Sequence, residues 1–102
     1  MNSTQAKIDS ILAESPIVVF IKGSRQEPVC GFSKQIIQIL ESYTNDFSCV
    51  NILEHLDIRQ EIKTYKNWPT FPQLYVNGEL IGGVDIVKEL DIESKLEEIL
   101  SQ

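Results

Sequence analysis

The run Cys30-Gly31-Phe32-Ser33 holds the residue best suited to chemistry in this chain. A cysteine reacts, and ligates metals, as the thiolate. Thiolate is favoured at a helix N-terminus, where free backbone N–H groups and the positive end of the helix dipole meet the sulfur. Gly31 adds no side chain, so a ligand can approach closely. Lys22, at the end of an apolar run, can lie near the sulfur and favour the thiolate further. In a Cys-x-x-Cys pair the second thiol resolves the mixed disulfide made by the first. Here Ser33 takes the fourth place, and a hydroxyl cannot do this. Cys30 is left with exchange against an external thiol or with ligation of a metal. The plainer alternative is a small buried hydrophobe, as free cysteine often is. The polar, Pro-containing loop ahead of it and the glycine behind it argue against burial.

The other cysteine, Cys49, lies between Ser48 and Val50 in a strand-like stretch and reads as a core residue. No further Cys or His stands at ligand spacing from either, so a four-ligand structural zinc site is not expected. His55 reads as a lone surface residue rather than a ligand. Two other places can contribute to a site. Thr70-Phe71-Pro72 enters a strand after a helix, where a cis proline would leave the Phe71 backbone as an open edge beside the cysteine. An ordinary trans proline starting a strand is the alternative. Gly82-Gly83-Val84-Asp85 is a strand-to-helix turn whose N–H groups can hold a carboxylate while Asp85 meets an ammonium. As a plain turn it needs no ligand.

These residues need elements to position them. Ser3 or Thr4 can cap a first helix with Ile8, Ile11 and Leu12 on one face. Ile17 to Ile21 is a continuous apolar run, expected as a strand buried on both faces. Lys22 to Pro28 is a loop, and Phe32 to Tyr43 carries helical spacing, so Cys30 falls at a loop–helix junction. Phe47 to Leu53 is expected as a second strand and His55 to Tyr65 as a helix. Asn77-Gly78 between Gln73 to Val76 and Glu79 to Ile81 signals a hairpin. Two helices, near Val84 to Leu90 and Ile92 to Leu100, finish the chain. The order α-β-α-β-α-β-β-α-α gives an α/β fold, a mixed sheet with helices on both faces.

The bulk properties set limits. The chain has 102 residues, enough for one domain over residues 1–102. Its net charge of -6 disfavours a nucleic-acid partner. No apolar run approaches the ~20 residues of a membrane span, so no membrane role is expected. The start of the chain lacks the pattern of a signal or transit peptide, and a reducing, cytoplasmic location is the expectation.

Taken together, the motifs resemble a monothiol glutaredoxin of the single-domain, Cys-Gly-Phe-Ser type. The carriers are Phe20-Ile21-Lys22-Gly23, Pro28-Val29-Cys30-Gly31-Phe32-Ser33, Trp68-Pro69-Thr70-Phe71-Pro72-Gln73-Leu74-Tyr75-Val76, Asn77-Gly78-Glu79-Leu80-Ile81-Gly82-Gly83 and Asp85-Ile86. The long loop between Gly23 and Cys30 also fits that class. The resemblance implies a thioredoxin-like fold with a four-stranded mixed sheet, and glutathione binding. Lys22 and Arg59 match residues that meet the glycyl carboxylate of glutathione. Phe71 matches the residue whose backbone pairs with the cysteinyl unit, beside the cis proline Pro72. Gly83, Val84 and Asp85 match the turn that holds the γ-glutamyl end, and Trp68 and Thr70 look like shaping residues. Many members have Cys where this chain has Val84; the contact there is mainly through backbone, so glutathione binding should survive.

Two functions follow as expectations. In one, two chains and two glutathiones supply the four thiolates of a [2Fe–2S] cluster, with Cys30 as each subunit's ligand, and the bridged homodimer carries the cluster to acceptor proteins. A BolA-like partner is also implied by the resemblance. In the other, Cys30 is the nucleophile of a weak glutathione-dependent oxidoreductase.

Overall fold

The computed structural model describes residues 3–102. Its elements are α1 (Ser3–Glu14), β1 (Ile17–Ile21), α2 (Gly31–Glu41), β2 (Ser48–Asn51), α3 (Leu56–Tyr65), β3 (Gln73–Val76), β4 (Glu79–Gly82), α4 (Val84–Ile92) and α5 (Leu96–Leu100). The four strands form one sheet in the order β2-β1-β3-β4. β1 and β2 run parallel, and β1–β3 and β3–β4 run antiparallel.

The apolar run of β1 has a direct structural reason. Ile17, Val19 and Ile21 point into a core shared with Ile36, Ile37 and Leu40 of α2, Val84 and Val87 of α4, and Leu96 of α5. Val18 and Phe20 point the other way, into a core built with Ile8 and Leu12 of α1 and Ile58 and Ile62 of α3. Each side of a strand alternates, so a strand covered on both faces must be apolar at every position. Helices lie on both faces, as the pattern required. This is the thioredoxin-like arrangement, a four-stranded mixed sheet in an α/β fold. Among the described residues no helix is long and apolar enough to cross a membrane.

Several boundaries differ from the sequence reading. Ser3 and Thr4 lie inside α1 rather than ahead of it, and Met1 and Asn2 lie outside the described residues. β2 is shorter than Phe47 to Leu53. The Asn51 side chain accepts from the N–H groups of Gly23 (3.0 Å) and Leu53 (3.0 Å), which turns the chain out of the sheet. α2 ends at Glu41, where Tyr43 and Thr44 both donate back to the Leu40 carbonyl. The last two helices divide elsewhere than expected. α4 continues through Ile92, and Ser94 takes a left-handed φ of 59°. Its N–H reaches the Asp91 carbonyl and that of Lys95 reaches Leu90, a C-terminal cap closed by serine where glycine is usual. At the hairpin, Asn77 (φ 51°) and Gly78 (φ 81°) both adopt the left-handed conformation that this turn demands.

Candidate functional site

Cys30 is the N-cap residue of α2. The loop that delivers it leaves β1 at Lys22 and returns through an isolated antiparallel bridge between Gly23 and Pro28. Val29 donates to the Lys22 carbonyl (3.0 Å), closing the loop at its base. Gly23 is required there. Its φ is +99°, and a Cβ would sit 2.7 Å from the Glu27 carbonyl oxygen and from the Val29 nitrogen. Arg25 ties the far side of the loop down. Its guanidinium donates to Glu41 (3.2 Å) and to the carbonyls of Asn45 (3.1 Å) and Phe47 (3.3 Å), and lies 3.8 Å over the Phe47 ring.

The Cys30 thiol is held below the ordinary thiol range. The backbone N–H of Ser33 is the largest cause, followed among the favourable ones by that of Phe32, the Ser33 hydroxyl and the Lys22 charge; partial burial opposes them. Ser33 itself is fully buried, and its Oγ accepts from the Lys22 N–H (3.1 Å). It therefore joins the end of β1 to the first turn of α2. In the described residues Cys30 and Cys49 are both free thiols. Cys49 is half-buried in β2 beside Val19, packed against the core rather than within it, and burial pushes its thiol up to about 11.

A cleft of about 540 Å³ opens at Cys30, within the range of small-molecule sites. Eight residues that the sequence assigned to a site line it: Lys22, Cys30, Arg59, Phe71, Pro72, Gly83, Val84 and Asp85; Gly82, expected in the same turn as the last three, instead closes β4 outside the lining. So do Trp68 and Thr70. The Phe71–Pro72 bond is cis. The antiparallel pairing of β1 with β3 brings the C-terminal end of one strand, with Lys22, against the N-terminal end of the other, with Phe71 and Pro72. The hairpin then returns Gly83–Asp85 to the same rim. Val84 is buried in the core through its side chain, so only its backbone can serve a ligand. Gly83 packs closely, because a Cβ there would come 3.3 Å from the Pro72 carbonyl oxygen and 3.8 Å from Trp68 Nε1.

Some contributors were not singled out from the sequence. Lys63 lies one turn beyond Arg59 on α3 and joins it in the cleft, a relation that helical spacing alone would reveal. Phe32 and Ile86 add an apolar rim, with Phe32 57% exposed. α3 is braced from behind, where Lys7 of α1 pairs with Asp57 (2.5 Å) and the Tyr65 hydroxyl donates to Asp9. Behind the Trp68 to Thr70 wall stands the buried amide of Gln73. His55 is exposed at the start of α3. The cleft thus gathers cations along α3 and the end of β1, a carboxylate at α4, and one activated sulfur between them.

The family model described as Glutaredoxin matches residues 17–81. Glutaredoxin 4 of Escherichia coli (strain K12) is 46% identical over 102 residues, which cover 100% of this chain and 89% of that protein. Glutaredoxin 3 of Danio rerio is 53% identical over 91 residues, which cover 89% of this chain. The match spans only 28% of that longer relative's length. Among solved structures, reduced poplar apo GrxS14 superposes with a TM-score of 0.84 at 42% identity, over 95% of this chain and 89% of that one. With the family match covering most of the chain, the identity to Escherichia coli glutaredoxin 4 running the full length of this chain, and the fold shared with a solved relative, this chain belongs to the glutaredoxin family.

Proposed function

We propose that this chain is a monothiol glutaredoxin that binds glutathione and carries a [2Fe–2S] cluster bridged between two subunits, serving cluster transfer and assembly and iron homeostasis in the cytoplasm. The observation that carries this reading is the lone activated sulfur of the cleft, Cys30, with Ser33 standing where a resolving thiol would be.

Glutathione carries two carboxylates, one ammonium and one thiol, and the cleft offers matching charges in order. Lys22 and Arg59 receive the glycyl carboxylate. The Phe71 backbone, beside Pro72, pairs with the cysteinyl unit as an added strand would. The N–H groups at the start of α4, from Gly83 and Val84, take the γ-glutamyl carboxylate, and Asp85 takes the ammonium. Trp68 and Thr70 shape the wall.

A [2Fe–2S] cluster usually takes four thiolates. Among the described residues no group of three or more His, Cys, Asp or Glu converges to hold a metal within one chain. The cleft contributes Cys30 alone, so the donor set fits a cargo shared between two chains and two glutathiones. When bound, the cluster supplies iron and sulfide for delivery. This chain's part is to give one thiolate, to hold glutathione beside it, and to leave the rim open to acceptors or a BolA-like partner.

Anaerobic reconstitution with iron, sulfide and glutathione tests the reading. A visible cluster band and a glutathione-dependent dimer on gel filtration are expected, and both should vanish in Cys30→Ser. Absence of both from the unmodified chain sinks it.

The lowered pKa of Cys30 also favours a second reading, thiol–disulfide exchange. The Cys30 thiolate would attack the glutathione sulfur of a protein–glutathione disulfide, releasing the protein thiolate. A second glutathione thiolate would then attack that sulfur, freeing Cys30 and leaving oxidised glutathione. Fast turnover of a small glutathione mixed disulfide, with no cluster band, favours this alternative.

A further inference from the structure

Gln73 begins β3 and is fully buried, yet it is polar. Its Nε2 donates to the carbonyls of Trp68 (2.7 Å) and Thr70 (3.1 Å). Its Oε1 accepts from the Tyr75 hydroxyl (3.0 Å). The orientation of the amide is dictated by these partners, since the reversed form would set an oxygen against two carbonyl oxygens. Tyr75 is anchored in turn, fully buried with its ring edge-on to Phe20 at 5.5 Å.

The segment between α3 and β3 is irregular. Among the described residues, no backbone donor outside the helices and strands reaches the carbonyl of Trp68 or of Thr70. Backbone carbonyls turned toward the protein need partners, and a strand or helix would normally supply them. Here a single side chain supplies both. One amide therefore ties two carbonyls of the cleft wall to the start of β3.

We propose that Gln73 is a positioning residue: its carboxamide replaces the missing backbone pairing of the Trp68 to Thr70 segment and so sets the wall against which glutathione lies. The inference rests on the glutathione reading above. The groups that favour the Cys30 thiolate are Ser33, Phe32 and Lys22, and Gln73 is not one of them. That separation makes the role measurable, because wall and sulfur should respond independently.

The chain has one tryptophan, Trp68, so its fluorescence reports the wall directly. Gln73→Met keeps the volume and removes all three hydrogen bonds. It is expected to weaken glutathione binding about tenfold and to shift Trp68 emission, with the pH midpoint of Cys30 alkylation unchanged. Tyr75→Phe leaves both donations of Gln73 intact and should weaken binding only about two- to threefold. A folded Gln73→Met that binds glutathione as the unmodified chain does overturns the proposal. So does one whose Cys30 midpoint moves along with affinity, because that is general loosening. Should Gln73→Met not fold, Tyr75→Phe decides, and unchanged affinity with unchanged Trp68 emission overturns it. If the unmodified chain binds no glutathione, the glutathione reading fails; the Trp68 shift in Gln73→Met then decides the positioning role alone.

Discussion

Cys30 and Cys49 are both served by β1, and they have opposite fates. Cys49 pairs in register with Val19 inside the sheet, where its backbone partners are spent on the ladder and its half-buried sulfur packs against the core, with the opposed charges of Arg25 and Glu41 as lesser influences. Cys30 comes after the strand has ended, at the start of a helix whose first N–H groups have no backbone partner. Neutral thiol is favoured in the first setting and thiolate in the second. The same side chain is thus made inert by burial in one place and reactive by the backbone's spare donors in the other, with Lys22 adding the smallest of the favourable contributions at Cys30.

The strongest way to break this contrast is alkylation with iodoacetamide. With its thiol pushed up to about 11, Cys49 has a thiolate fraction on the order of one in ten thousand at neutral pH. Cys30→Ser is therefore expected to abolish nearly all labelling near neutrality, and Cys49→Ser to leave it almost unchanged. Thiolate grows as pH rises, so the Cys30 rate should reach its midpoint below the ordinary thiol range and the Cys49 rate only near pH 11. A Cys30 that labels no faster than a free thiol breaks the comparison.

A smaller effect tests the loop that carries Cys30 to its helix. Gly23→Ala places a Cβ against the backbone of Glu27 and Val29 at a left-handed φ, and should cost about 2 kcal/mol or more in denaturant melts. Cys30 should lose part of its advantage while Cys49 keeps its own midpoint. The smallest change is Ser33→Ala. The backbone N–H remains, so the Cys30 midpoint should move upward only part of the way, and losing the acceptor for the Lys22 N–H should cost about 1 kcal/mol of stability. A midpoint that fails to rise would assign the effect to the backbone alone.

Much of this was legible in the chain itself. Five successive apolar residues in β1 announced a strand covered on both faces, and Asn77-Gly78 announced the hairpin. Eight of the cleft residues, from Lys22 to Asp85, were legible because the motifs carry type and spacing together, whereas Lys63 was not. What stayed hidden were side chains whose partners are backbone carbonyls. Arg25 and Gln73 bond to oxygens that every residue owns, so no residue type marks the other half of the contact. The break between α4 and α5 was missed for a related reason. Ser94 adopts the left-handed conformation that glycine would have advertised.

The antiparallel join of β1 to β3 has a consequence in time. A chain is made from its N-terminus, so Cys30, Ser33 and Lys22 emerge well before Phe71, Gln73 and Asp85. β1 and α2 can meet early through contacts near in sequence. The wall and the Gly83–Asp85 turn wait for β3 to be threaded between β1 and β4, the last strand pairings available. For that interval a nascent chain owns a sulfur before it owns a groove to govern it.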